Sequence, residues 1–113
     1  MDADELEFTI AVGGGHDGSV VAPRGELDVA TERQLRAALE QQAAKGTVTL
    51  DLTGLRFIDT SGLRLVLETA QAARRDGFTF GVIPGPPAVQ RLFEIAGVGE
   101  LVPFLDGGEG GAP

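Results

Sequence analysis

Hydrophobic and polar residues alternate in several short stretches of the chain, and this alternation predicts β-strands. The first two strands are expected at 6–12 and 19–26, joined by a glycine-rich turn that favours a hairpin. The most regular alternation predicts a third strand at 47–53. Two further strands are expected at 78–83 and 101–105. Each is short enough to belong to one compact sheet.

Hydrophobic residues recur at helical spacing in three other stretches. The first helix follows Thr31, an N-cap candidate that has Gln34 at the capping-box position. The second is expected at about 61–75, with Asp76-Gly77 closing it, and the third begins at Pro87 and ends at Gly97. The resulting order β-β-α-β-α-β-α-β predicts an α/β fold. Its sheet is mixed and mostly parallel, with about five strands and three or four helices.

A length of 113 residues fits one domain. We expect that domain at 1–106, followed by a flexible glycine-rich tail at 107–113. Proline cannot donate a backbone hydrogen bond, so Pro23 places the second strand at an edge or marks an irregularity in it. Pro103 likewise favours an edge position for the last strand.

The charge balance narrows the class of partner. Seventeen acidic residues face nine basic ones, which gives a net charge of −8. This charge disfavours binding to nucleic acid or to anionic membranes and favours a basic protein partner. Because cysteine is absent and His16 is the only histidine, no metal or cofactor is expected. The acidic start and the lack of a long apolar run predict a cytoplasmic protein.

Three catalytic or cofactor patterns are weak. Gly13, Gly15 and Gly18 match the dinucleotide-binding spacing, but they lead into a strand rather than a helix, which favours a simple turn. His16 lies in that turn and offers a general base, yet neither serine has a base beside it. Paired aspartates could suggest a glycosidase, but the chain lacks the tryptophan and tyrosine that usually line a sugar cleft.

The motif Asp59-Thr60-Ser61-Gly62 stands where an extended segment turns into the second predicted helix. Asp, Thr and Ser are frequent N-caps, so a helix cap is one interpretation. A hydroxyl at a helix N-terminus is also exposed, and free N–H groups and the helix dipole favour a phosphate ester there. Gly62 would then give another molecule access to Ser61. The spacing alone leaves both interpretations open.

Four segments of the chain, in this order and spacing, resemble STAS domains. This family includes the anti-sigma factor antagonists and the cytoplasmic tails of sulfate transporters. The segments are 25–28 (GELD), 50–54 (LDLTG), 57–63 (FIDTSGL) and 87–98 (PAVQRLFEIAGV). The resemblance covers about residues 6–105.

The resemblance implies a phosphorylation switch rather than an enzyme. In the stand-alone bacterial members, the unphosphorylated form binds an anti-sigma factor that is also a serine kinase, and a sigma factor is released. The kinase phosphorylates the serine before the motif glycine, which corresponds to Ser61, and a phosphatase resets the switch. Asp28 matches an acidic residue expected near that serine. Asp59, Thr60 and Gly62 match the remaining motif positions and are expected around the phosphosite and its partner contact.

Two departures and two alternatives accompany the resemblance. Family members often carry a further helix after the last strand, which is expected to be missing or truncated here, and Thr60 offers a second hydroxyl as acceptor. The main alternative is a STAS adaptor or scaffold that works without phosphorylation in a signalling or lipid-transport complex. A domain that binds a nucleotide or lipid is a further alternative, although no phosphate-binding loop is present. The transporter interpretation fails because no membrane segment is present.

Overall fold

The computed structural model describes residues 7–15 and 18–105. The predictions for His16 and for the glycine-rich tail therefore lie outside the described residues.

The described residues form five strands, three α-helices and a short 3-10 helix. In chain order they are β1 (Thr9–Gly15), β2 (Gly18–Leu27), α1 (Glu32–Ala43), β3 (Thr47–Asp51), β4 (Leu55–Ile58), α2 (Thr60–Asp76), β5 (Thr79–Ile83), α3 (Pro87–Ala96) and the 3-10 helix Gly99–Leu101. The predicted glycine ends are confirmed for α2 and α3, because Gly77 and Gly97 adopt positive φ angles of 85° and 70°.

The strands form one mixed sheet. β1 pairs antiparallel with β2, so the predicted hairpin is confirmed, and its pairing continues to Gly15 and Gly18. β2 then pairs parallel with β3, and β3 pairs parallel with β5. β4 pairs parallel with the last residues of β2. The α/β fold class with its mostly parallel sheet is confirmed.

Pro23 lies inside β2, which has partners on both sides. On the side away from β1, residues 19–21 pair with β3 and residues 25–27 pair with β4. Pro23 falls between these two pairings, where the partner strand changes and no N–H is required. The edge interpretation of Pro23 is therefore wrong, and the irregularity interpretation is confirmed.

β4 is a strand that the periodicity did not predict. The first and last residues of β4, Leu55 and Ile58, are buried, while Arg56 and Phe57 between them are exposed, so the strict alternation is lost. The register between β2 and β4 also shifts between Gly25 and Glu26, because β4 has one extra residue there, Arg56. A bulge of this kind moves side chains between faces and hides the strand from a period-two search.

The predicted strand at 101–105 is reduced to a single bridge between Phe104 and Val82. The Val82 N–H donates to the Pro103 carbonyl over 3.0 Å, and the Leu105 N–H donates to the Val82 carbonyl over 2.8 Å. Pro103 has no N–H with which to extend the ladder. The segment still lies beside β5, as the predicted edge position required.

The core lies between the sheet and the helices. α1 packs on β2 and β3, α2 on β4 and β5, and α3 on β4. Phe93 of α3 meets Phe104 edge to face, with ring centroids 5.2 Å apart. The largest of the fully buried side chains are Phe93, Leu27, Leu35, Leu39, Leu50, Leu52, Leu55, Leu65, Val21, Val48, Val66 and Val82. None of the helices described has the length and apolar character needed to cross a membrane.

Candidate functional site

The carboxyl ends of β2 and β4 lie side by side, and each is followed by an aspartate. Leu27 pairs with Ile58, and the Asp59 N–H donates to the Leu27 carbonyl over 3.1 Å. Asp28 and Asp59 therefore leave neighbouring parallel strands, whose backbones are about 4.8 Å apart. The structure brings Asp28 and the motif at 59–62 to the same edge of the sheet.

Asp59 is the N-cap of α2. Its Oδ1 accepts the backbone N–H of Ser61 at 2.8 Å and that of Gly62 at 3.3 Å. This confirms the helix-cap interpretation, since an N-cap carboxylate satisfies donors that have no partner within the helix. It also corrects the view that these N–H groups are free to receive a phosphate, because Asp59 already occupies them.

Gly62 fixes how closely α2 approaches the sheet. It is buried, and a Cβ placed on it would lie 2.7 Å from Leu27 Cγ and 2.8 Å from Ile58 Cγ1. Carbon atoms normally pack about 3.5–4.0 Å apart, so a side chain here would push the helix outward. The side of Gly62 that lacks a side chain faces the core. The explanation that Gly62 gives another molecule access to Ser61 is therefore wrong.

The hydroxyl groups of Thr60 and Ser61 differ from the other serine in the chain. Ser19 is buried, and its Oγ donates to Gln42 Oε1 at 2.6 Å. Thr60 is exposed and Ser61 is half-buried. Within the part of the chain that the structure describes, neither Thr60 nor Ser61 forms a side-chain hydrogen bond. A hydroxyl with no internal partner on a helix's first turn can serve as a modification site.

The turn after β2 is organised by Asp28 and Thr31. Asp28 Oδ1 accepts the N–H groups of Ala30 at 3.0 Å and of Thr31 at 3.2 Å. The Thr31 hydroxyl donates to the Glu26 carbonyl at 2.8 Å and accepts the Asp28 N–H at 3.0 Å. Thr31 is the N-cap residue of α1, as predicted, but its side chain does not cap the helix. The predicted capping box is therefore wrong, because that hydroxyl is held by the preceding turn.

A separate cleft of about 750 Å³ lies between α1 and α2. Arg36 at its wall joins the two helices, bonding to Glu68 at 2.8 Å and to Glu32 through its Nε at 2.7 Å. These hydrogen bonds, which Arg36 donates to Glu68 and to Glu32, raise the pKa of Arg36 above its ordinary value, and the bond to Glu68 has the larger effect. None of the five predicted site residues lines the cleft. In the segments 7–15 and 18–105, no three His, Cys, Asp or Glu side chains are placed to hold a metal ion.

Comparison with known proteins gives a consistent family match. The model of the family described as "Mlab, STAS domain" matches residues 10–103. Over 99 residues the chain is 34% identical to BtrV of Bordetella bronchiseptica, and the aligned residues cover 85% of each chain. It is 30% identical over 87 residues to the anti-sigma-B factor antagonist of Staphylococcus epidermidis, covering 75% of this chain and 81% of the relative.

Solved structures share the fold. An anti-sigma factor antagonist from Mycobacterium paratuberculosis superposes with a TM-score of 0.78 at 25% identity, covering 88% of this chain and 86% of its own. The anti-sigma factor antagonist SpoIIAA in its unphosphorylated form gives a TM-score of 0.68 at 22% identity, covering 92% of each chain. The Bacillus protein SpoIIAA in the phosphorylated form gives 0.63 at 21% identity, covering 92% of this chain and 96% of its own.

Proposed function

The chain belongs to the STAS domain family, and on this premise we propose that it is an anti-sigma factor antagonist of the cytoplasm. In this proposal the unphosphorylated protein binds an anti-sigma factor that is also a serine kinase, and a sigma factor is thereby released. Phosphorylation of Ser61 switches this binding off, and a phosphatase restores it. The protein acts by binding and carries out no reaction of its own.

The observation that carries the proposal is the position of the Ser61 hydroxyl and its lack of a hydrogen-bond partner among the described residues. Ser61 is half-buried rather than enclosed, has no hydrogen-bond partner in the described part of the chain, and lies on the first turn of α2. Ser19, by contrast, is buried and bonded to Gln42. A partner kinase can therefore reach Ser61 without opening the fold, while phosphorylation of Ser19 would require local unfolding.

The charges around Ser61 suit a switch. Phosphorylation adds nearly two negative charges at pH 7. Asp59 lies two residues before Ser61, and Asp28 lies at the end of the neighbouring strand. Two unit charges about 6 Å apart repel by roughly 3 kcal/mol at an effective dielectric of 20, before salt screening. Since 1.4 kcal/mol corresponds to a tenfold change in affinity, a change of this size in the contact with a partner can release that partner without a change of fold.

The structural relatives support the same idea at the level of the fold. SpoIIAA has been solved in both the unphosphorylated and the phosphorylated form, and this chain superposes on both. The fold therefore accommodates a phosphorylated state without rearranging into another architecture. The names of the relatives from Staphylococcus epidermidis and Mycobacterium paratuberculosis support anti-sigma factors as the partner class.

The proposal is tested by measuring affinity for the anti-sigma factor kinase of the same organism, purified after capture with the wild-type chain. The variant Ser61→Asp places a permanent negative charge at the phosphosite. We expect it to bind at least tenfold more weakly than wild type, by isothermal titration calorimetry, while its circular dichroism spectrum is unchanged. Ser61→Ala is expected to bind the kinase but to accept no phosphate from it.

A matched control separates the position of the charge from the charge itself. Thr79→Asp adds the same charge at an exposed residue at the amino end of β5, on the opposite edge of the sheet. We expect it to bind like wild type. If Ser61→Asp also binds like wild type, the switch at Ser61 is contradicted, and the adaptor that works without phosphorylation is favoured.

A further inference from the structure

A phosphate on Ser61 needs a counter-charge, and the turn itself offers little. This inference rests on the proposed phosphorylation of Ser61. The N–H groups of Ser61 and Gly62 already donate to the Asp59 carboxylate. Asp28 adds a second carboxylate at the same edge of the sheet. The helix N-terminus alone therefore cannot neutralise the phosphate.

Arg64 is the basic residue closest to Ser61 along α2. It lies three residues after Ser61 and four after Thr60, within the helix Thr60–Asp76. Residues at these spacings are neighbours on a helix surface, about 5–6 Å apart at their Cβ atoms. Side chains on a helix lean toward its N-terminus, which directs the Arg64 side chain over the turn that carries both hydroxyls.

The Arg64 guanidinium is available for this contact. Arg64 is exposed, and among the described residues it forms no ion pair within 4.0 Å. Two other basic residues of that region differ in this respect. Arg36 is held between Glu32 and Glu68, and Arg56 lies 3.8 Å from Glu26. Arg33, in the first turn of α1, is the remaining exposed cation beside this edge.

We propose that Arg64 is the counter-charge for phosphoserine 61, binding the phosphate with its guanidinium on the exposed face of α2. Arginine binds phosphate oxygens through paired N–H donors, which gives the contact a defined geometry. The contact holds the phosphate away from Asp59 and keeps α2 capped in the phosphorylated protein. Arg64 thereby stabilises the phosphorylated state after the kinase has dissociated.

The test uses protein with phosphoserine installed at position 61 during synthesis, so that no kinase is required. The second ionisation of the phosphate is followed by phosphorus NMR as a function of pH. The guanidinium favours the dianion, so Arg64→Gln is expected to raise the second pKa of the phosphate by about 0.5 unit. The shift should shrink in about 1 M salt, which screens exposed charges. Arg64→Lys should restore part of it.

Arg74→Gln is the matched control, because Arg74 is exposed on the same helix near its other end. It is expected to leave the phosphate pKa unchanged. Equal shifts for Arg64→Gln and Arg74→Gln, or a shift only for Arg33→Gln, would overturn the assignment. A failure of the proposed function is seen separately, as the absence of kinase binding by the unphosphorylated chain.

Discussion

The turn after β2 and the turn after β4 contain the same kinds of residue and use them differently. Each places an aspartate directly behind a strand and a hydroxyl side chain before or within the first helical turn. After β2, the Thr31 hydroxyl is bonded to the Glu26 carbonyl, and Thr31 does not cap α1 with its side chain. After β4, Asp59 caps α2, and the Ser61 hydroxyl has no partner among the residues that the structure describes.

This difference shows what frees a hydroxyl for modification. In the turn after β4, a carboxylate supplies the cap, so the neighbouring hydroxyl is not needed for the fold. In the turn after β2, the hydroxyl itself holds the turn together, so a phosphate there would break structure. The same residue types thus produce a structural turn and a candidate signalling turn. Substitutions in the two turns should therefore have different consequences.

The largest expected effect comes from Gly62→Ala. The added Cβ would overlap Leu27 and Ile58, and α2 must move away from the sheet. We expect a loss of about 2 kcal/mol in the free energy of unfolding, measured by urea denaturation. Gly13→Ala is the control, because a Cβ on Gly13 meets nothing within 4 Å. If the two variants are equally stable, α2 is not locked to the sheet at Gly62.

The next effect is the loss of the cap in Asp59→Ala. Removing the carboxylate leaves the N–H groups of Ser61 and Gly62 without their acceptor. We expect a loss of about 1 kcal/mol in unfolding free energy, measured by thermal and urea denaturation. Asp59→Asn should retain most of the stability, since asparagine also caps helices well. An Asp59→Ala variant as stable as wild type would contradict the cap.

Thr31→Ala tests the structural role of the other turn. It removes the hydroxyl that donates to the Glu26 carbonyl and accepts the Asp28 N–H. We expect a loss of about 1 kcal/mol in unfolding free energy. Thr31→Ser keeps the hydroxyl and should recover most of this loss. Equal stabilities for these two variants would show that the hydroxyl does not hold the turn.

Ser61→Ala is expected to have the smallest effect on stability. Its hydroxyl has no partner in the described part of the chain, so its removal should change the unfolding free energy by less than about 0.5 kcal/mol. Urea denaturation beside Thr31→Ala measures the contrast directly. A loss for Ser61→Ala as large as that for Thr31→Ala would mean that both hydroxyls are structural, and the comparison between the turns would fail.

The sequence predicted those features that depend on local residues. The fold class and the glycine ends of α2 and α3 follow from patterns within a few residues, and the structure has them. A helix cap in the motif at 59–62 was one of two open interpretations, and the structure shows that Asp59 is the cap. Features that depend on distant partners were missed. Gly62 is explained by Leu27, which lies thirty-five positions earlier in the chain. β4 was hidden because the register shift at Gly25 breaks its alternation.

The turn after β2 shows the same limit at short range. Thr31 and Gln34 have capping-box spacing, yet the Thr31 hydroxyl bonds backward to Glu26 instead. The spacing identified Thr31 as the N-cap residue of α1, but not the group to which its hydroxyl bonds. That bonding partner depends on how the chain leaves β2, which the local sequence does not specify.

The most direct test of the central claim is phosphosite mapping by mass spectrometry on the protein isolated from its own cells, both growing and stressed. The Ser61→Ala protein is the control for site assignment. We predict a phosphate on Ser61 whose occupancy changes between the two conditions, with none on Ser19. A protein that carries no phosphate on Ser61 in either condition would contradict the switch.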